Sequence, residues 1–150
     1  MAADPDLDQA TRAPRTSGIL DEASSEDQLQ ADLTQALRNL EETKGVFGSA
    51  VVDRQGFPIA WNLKGGTQQA SVGLLGATLR TLLLRASTIL DLGDFSSGLV
   101  KFDKGLLGVF EVGVDELFLV VLAGSQANVM DLLVDTESAR RELRAILGAR

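Results

Sequence analysis

Val46-Phe47-Gly48-Ser49-Ala50-Val51-Val52-Asp53-Arg54-Gln55-Gly56-Phe57-Pro58-Ile59-Ala60-Trp61 reads as a β-hairpin. The first run is short and rich in β-branched residues. A polar tetrad closed by Gly56 ends it, and a second apolar run returns. Pro58 has no N–H to give a ladder, which places the return strand, residues 57–61, at a sheet edge.

Working outward, Leu29, Leu33, Leu37 and Leu40 recur at helical spacing behind Ser25, a suitable N-cap, and predict a helix over 26–43 stopped by Gly45. Beyond the hairpin, a polar loop with Gly65-Gly66 leads into a long helix over 69–90. Three strands follow, at 97–102, 106–112 and 117–123, joined by Asp103-Lys104-Gly105 and Gly113-Val114-Asp115-Glu116. The last strand, Leu117 to Ala123, has no polar position, so both of its faces should be covered and it belongs in mid-sheet. Asn128 should cap a final helix, with Asp131 in its first turn and an apolar stripe of Leu132, Leu133, Ala139, Leu143, Ile146 and Leu147. The order α-β-β-α-β-β-β-α with hairpin connections gives an α+β fold: a five-stranded antiparallel sheet with helices packed on it.

Composition narrows the chemistry. The 150 residues are 45% apolar and 23% charged, enough for one soluble core, and contain no His, Cys or Tyr. That excludes a Ser-His-Asp triad, a Cys nucleophile, a disulfide framework and thiolate or imidazole zinc sites. A net charge of −7 has the wrong sign for nucleic acid. Much of it sits at the start, where residues 1–28 hold seven acids against Arg12 and Arg15. Residues 1–24 read as an acidic disordered arm and 25–150 as the folded domain. The acidic start lacks the apolar core of a secretory signal, and no apolar run exceeds Leu117–Ala123. We therefore expect a cytoplasmic protein without membrane insertion.

The long helix carries two apolar stripes when projected at a hundred degrees per residue. One holds Val72, Leu75, Leu79, Leu82, Leu83, Ala86, Ile89 and Leu90 and is expected to face the sheet. The other holds Ala70, Leu74, Ala77, Thr81, Leu84 and Thr88 at alternating spacings of four and three, with Gly73 beside it and Arg80 and Arg85 on its flanks. A helix packing only on its own sheet has no use for a second seam. The second seam is expected to be an association surface, most simply between two copies of the chain about a two-fold axis. Coverage of it by a terminal helix of the same chain is the alternative.

The remaining candidates weigh less. Asp53-Arg54-Gln55-Gly56 matches D-x-x-G, but no phosphate-cradling G-x-x-x-x-G-K-[ST] loop accompanies it, and a hairpin turn explains it. Gly65-Gly66 reads as loop flexibility rather than an anion nest. Asp91 with Asp94, and Asp115 with Glu116, are turn acids better read as solvated than as a Mg²⁺ or acid/base pair. No cofactor, metal or catalytic residue is expected. Arg140, Arg141 and Arg144, with Arg150, make the last helix basic. They complement the helix C-terminus, or form an electrostatic landing site for an acidic partner, the chain's own arm included. Trp61 is read equally as an interface anchor or as packing under the first helix.

The hairpin from Gly45 to Ala60, with Leu107-Gly108-Val109-Phe110-Glu111-Val112 and Leu117–Ala123, resembles roadblock/dynein light chain domains, and the resemblance extends over about residues 26–147. Within that family it resembles the prokaryotic MglB-like members. The resemblance implies dimers with central helices side by side and sheets joined edge to edge, and partnership with Ras-like small GTPases. It implies no enzyme: the MglB-like members stimulate a GTPase without inserting an arginine. Carried over by position, it points to Gly73, Ala77, Arg80 and Leu84 on the second helix as partner surface, and Arg80 is the arginine to test first. A structural adaptor in a motor, polarity or signalling complex, without effect on hydrolysis, is the other expectation.

Overall fold

A computed structural model describes residues 25–149. The acidic arm, 1–24, and Arg150 lie outside the described residues. The chain forms α1 (25–40), β1 (Val46–Val52), β2 (Pro58–Leu63), α2 (Gln69–Ile89), β3 (Ser97–Phe102), β4 (Gly105–Glu111), β5 (Phe118–Gly124) and α3 (Val129–Gly148). The five strands make one antiparallel sheet in the order β2-β1-β5-β4-β3. The wholly apolar strand is central, as its sequence requires, and the strand with Pro58 is an edge. A register shift at Val51/Val52, opposite Pro58, accommodates the proline.

Helices cover both faces of the sheet. On one side α1 and α3 bury Leu33, Leu37, Leu132 and Leu143 against Val51, Ala60, Phe110, Leu119 and Val121. On the other, α2 meets Ala50, Val52, Val109, Phe118 and Val120. Asn128 caps α3 as expected, its side chain accepting the Asp131 N–H at 3.0 Å. Glu41, just past α1, accepts from Asn62 at 2.6 Å and pairs with Lys64, tying the end of α1 to the β2 edge. Those partners hold the Glu41 carboxyl below its ordinary value.

The seating of α2 on the sheet is unusually close, because small residues form its inner face. A Cβ on Gly73 would stand 2.2 Å from the Gly56 carbonyl oxygen and 3.1 Å from the Pro58 ring; one on Gly76 would stand 2.6 Å from Val120 Cγ2. Gly56 is itself held at φ +98, which favours glycine. Replacing Gly73 by Val should therefore lift α2 off the hairpin and cost at least ~1–3 kcal/mol. Gly148→Ala, where a Cβ meets nothing within 4 Å, should be neutral or slightly stabilising. Urea denaturation of the two variants measures the difference; equal stabilities would refute the close-seating account.

Candidate functional site

The inner face of α2 is Val72, Gly73, Gly76, Ala77 and Arg80. This corrects the two-stripe assignment. Of the stripe expected to face the sheet, Leu75, Leu82, Ile89 and Leu90 are 60–74% exposed, and only Val72 is buried. Of the seam expected to face a partner, Ala77 is buried against the hairpin, with Gly73 next to it; Ala70, Leu74, Thr81 and Thr88 are exposed and Leu84 half-buried. So among Ala70, Gly73, Leu74, Ala77, Arg80, Thr81, Leu84 and Thr88, three are turned into the chain's own fold. The reason is steric. A helix this close to a sheet presents its smallest residues inward, and the leucines have nowhere to go but out.

Arg80 is buried, and its guanidinium makes a bidentate pair. Nε and Nη2 donate to the two carboxylate oxygens of Glu111 at 2.7 and 2.8 Å, and Cζ lies 5.3 Å from the centroid of the Phe118 ring. The hydrogen bonds to Glu111 raise the Arg80 pKa against the opposing effect of burial. Arg80 fastens α2 to the end of β4 and is in no position to reach into a partner. Glu111 also serves the opposite layer: its carbonyl accepts from Arg140 Nε at 2.7 Å. Arg144 Nε donates likewise to the Val112 carbonyl at 2.7 Å, and both arginines pair with Glu137. The expected basic patch thus divides. Arg140 and Arg144 bind the end of β4, and of the three Arg141 alone is exposed with no ion pair among the described residues.

What remains outward on α2 is most of the stripe expected to face the sheet. Leu75, Leu79, Leu82, Ala86 and Ile89 repeat at spacings of four and three, a heptad seam on the solvent side, with Leu90 and Leu92 beyond. The wheel projection grouped these five residues but assigned them to the sheet face. By length and composition α2 is apolar enough to cross a membrane, yet it spends one face on the sheet. Beside the helix, the row Leu63–Gly48–Leu122–Leu107–Val100 runs across the same side of the sheet, with its four large residues half-exposed. Leu83 lies over Gly98 on the last strand, and the six residues after it continue the helix about 9 Å further. The β3 edge is open. The Glu111 N–H bonds the Ser96 carbonyl, so by alternation the backbones of Ser97, Leu99 and Lys101 point to solvent.

The other candidates carry no chemistry. Asp53 caps its own turn, accepting the N–H of Gln55 and of Phe57. Gly65 and Gly66 both sit at positive φ in an exposed loop. Asp91 and Asp94 are exposed; Asp115 and Glu116 form a left-handed turn pair, and Glu116 binds Arg54 at 3.0 Å. No group of three acids that could hold a metal occurs among the described residues. Trp61 is 41% exposed at the β2 edge, opposite Ala50 on the α2 side of the sheet, not under α1.

A family model described as the Roadblock/LC7 domain matches residues 33–123. No curated protein matches. Among solved structures, one described as MglB with tetrameric arrangement superposes with a TM-score of 0.74 at 17% identity, covering 81% of this chain and 91% of that one. The gliding protein MglB of Thermus thermophilus gives 0.72 at 17%, covering 81% and 93%. A Roadblock/LC7 domain of Streptomyces avermitilis gives 0.66 at 22%, covering 81% and 96%.

If Arg80 is a structural fastener, Arg80→Ala should cost ~2–3 kcal/mol by leaving the part-buried Glu111 carboxylate without its partner, and Arg80→Met with Glu111→Leu should restore most of that. Thermal and urea unfolding of both variants measures it; a harmless Arg80→Ala would refute the role.

Proposed function

The chain belongs to the Roadblock/LC7 family, and on that premise we propose that it is a non-enzymatic regulatory module that pairs with a second copy of itself and binds a Ras-like small GTPase. The observation that carries the reading is the open β3 edge flanked by the leucine-rich end of α2. A two-fold axis at that edge joins β3 to its counterpart in a continuous sheet. The same rotation brings the end of each α2 towards the partner's half-exposed row of Leu122, Leu107 and Val100, and sets the two seams of Leu75, Leu79, Leu82, Ala86 and Ile89 side by side. One operation thus satisfies three exposed features. By contrast the β2 edge is guarded by Pro58 and a bulge.

The GTPase belongs on the α2 flank that the pairing leaves free, where Leu74, Thr81, Arg85 and Thr88 are exposed. Such a module acts by population shift, binding the hydrolysis-competent arrangement of the switch loops more tightly than the others. Arg80, held by Glu111, supplies no arginine finger. The likeness to two MglB structures supports the fold of such a regulator, and a cytoplasmic setting accords with it.

Sedimentation equilibrium should give twice the chain mass for the native protein, the monomer mass for Leu82→Arg, and twice the chain mass for Leu74→Arg. Leu74→Arg should instead weaken binding to a Ras-like GTPase and its effect on single-turnover GTP hydrolysis. A monomeric native protein would refute the pairing. Neither binding nor acceleration by the native protein would refute the GTPase partnership, and binding without acceleration would reduce the module to an adaptor.

A further inference from the structure

The two faces of the sheet are covered unequally at β3. On one, α2 lies over it, with Leu83 against Gly98. On the other, α3 stops short. The chain enters α3 from Ala127, which stands over Gly45 at the start of β1. The later turns of α3 reach the end of β4, where Arg140 Nε and Arg144 Nε donate to the Glu111 and Val112 carbonyls. α1 lies on the far flank of α3, the one turned from those arginines, where Thr43 binds Asp135 and Asn39 binds Glu142. Among the described residues no helix lies over β3 on this face, where Ser97 and Lys101 are exposed and Leu99 is half-exposed.

The flank of α3 towards this gap is apolar and then basic. Val129, Leu133, Arg140 and Arg144 share one side of the helix, and Arg140 Nη2 reaches Ser96 Oγ at 3.5 Å, so that side faces β3. Leu133 is seven helical residues before Arg140, about 10 Å, and Leu99 is three strand residues beyond Ser96, again about 10 Å, so the two stand level. Met130 and Val134, 68% and 61% exposed, continue the apolar surface over the top of the helix. Around the gap Lys101, Lys104 and Arg141 are exposed without an ion pair among the described residues. Against them stand Asp94 and Asp103, since Glu137 is already shared by Arg140 and Arg144. In a chain of net charge −7 this border is basic.

Pairing turns the gap into a trough. The backbones of Ser97, Leu99 and Lys101 point outward, and a two-fold axis that uses all three is centred on Leu99. It sets Leu99 against the partner's Leu99 and Lys101 beside the partner's Ser97, which makes an apolar floor with a lysine at either end. The two α3 helices are its walls. Once the edges are joined, the floor offers no free backbone groups, so an added strand would have nothing to bond. A helix satisfies its own backbone and is the element that covers a sheet face.

We propose that this trough seats an amphipathic helix of a partner protein, apolar towards Leu99 and Leu133 and acidic along the flanks that meet Lys101 and Arg141. The proposal rests on the pairing through β3. It is independent of the GTPase, whose surface lies on α2 across the sheet.

The probe is a synthetic helix-forming peptide of about 18 residues, ample for the roughly 20 Å of β3, with a leucine stripe and glutamates on its flanks. Fluorescence anisotropy reads its binding, and sedimentation of the same samples reads the pairing. The native protein should bind this peptide about tenfold more tightly than the same peptide with lysines for glutamates, and about 0.5 M salt should narrow the difference. Leu133→Glu should weaken binding about tenfold while the protein keeps twice the chain mass. Leu82→Arg should lose the peptide together with the pairing. A native protein of monomer mass would remove the pairing and the trough with it. A paired native protein that binds both peptides alike, or a Leu133→Glu variant that binds like the native chain, would overturn the trough and leave the pairing standing. Undiminished binding by monomeric Leu82→Arg would overturn a site made by two copies.

Discussion

Gly73 and Gly76 decide how this molecule is built. At both positions the backbone of α2 comes so near the hairpin and β5 that no side chain fits between. A helix seated so low cannot bury its leucines beneath itself. Its apolar content, ample for a core helix, is therefore displaced to the side and top, where the fold alone leaves it in water. An exposed apolar surface of this extent marks an interface. The same contact leaves the row of Leu63, Leu122, Leu107 and Val100 on that sheet face only half-covered.

Around this constraint the charged residues act as fasteners. Arg80 and Glu111 lock α2 at the end of β4, and Arg140 and Arg144 lock α3 to the carbonyls of Glu111 and Val112. Both helical layers are thus anchored at one strand end. The rigidity this gives suits a module whose work is to present surfaces, and the absence of His and Cys accords with that. It also takes away the two roles that a chain read in isolation suggests for these arginines, a finger reaching into a partner and an open basic patch.

Much of this was legible in the sequence because it is local. Hairpin turns, the Asn128 cap, the edge position of Pro58 and the central position of the apolar strand each depend on a few adjacent residues. The helix faces were not legible by the same method. Projecting apolar residues on a wheel rewards leucine and ignores glycine, whereas close helix–sheet contact does the reverse, so neither projected stripe is the face that meets the sheet. The signal that was present is Gly73-x-x-Gly76-Ala77, small residues grouped on one side of an otherwise leucine-rich helix. Arg80 could not be placed either, because Glu111 is 31 residues away and nothing in the spacing announces the pair.

The central claim is that the β3 edge, with the end of α2 above it, is where a second copy joins. Amide hydrogen exchange at two protein concentrations tests it most directly. In dilute solution the outward-pointing amides of Leu99 and Lys101 on β3 and of Trp61 and Leu63 on β2 should exchange alike. In concentrated solution those of Leu99 and Lys101 should become strongly protected while those of Trp61 and Leu63 stay as they were. Protection that does not change with concentration, or that rises at β2 in place of β3, would contradict the account.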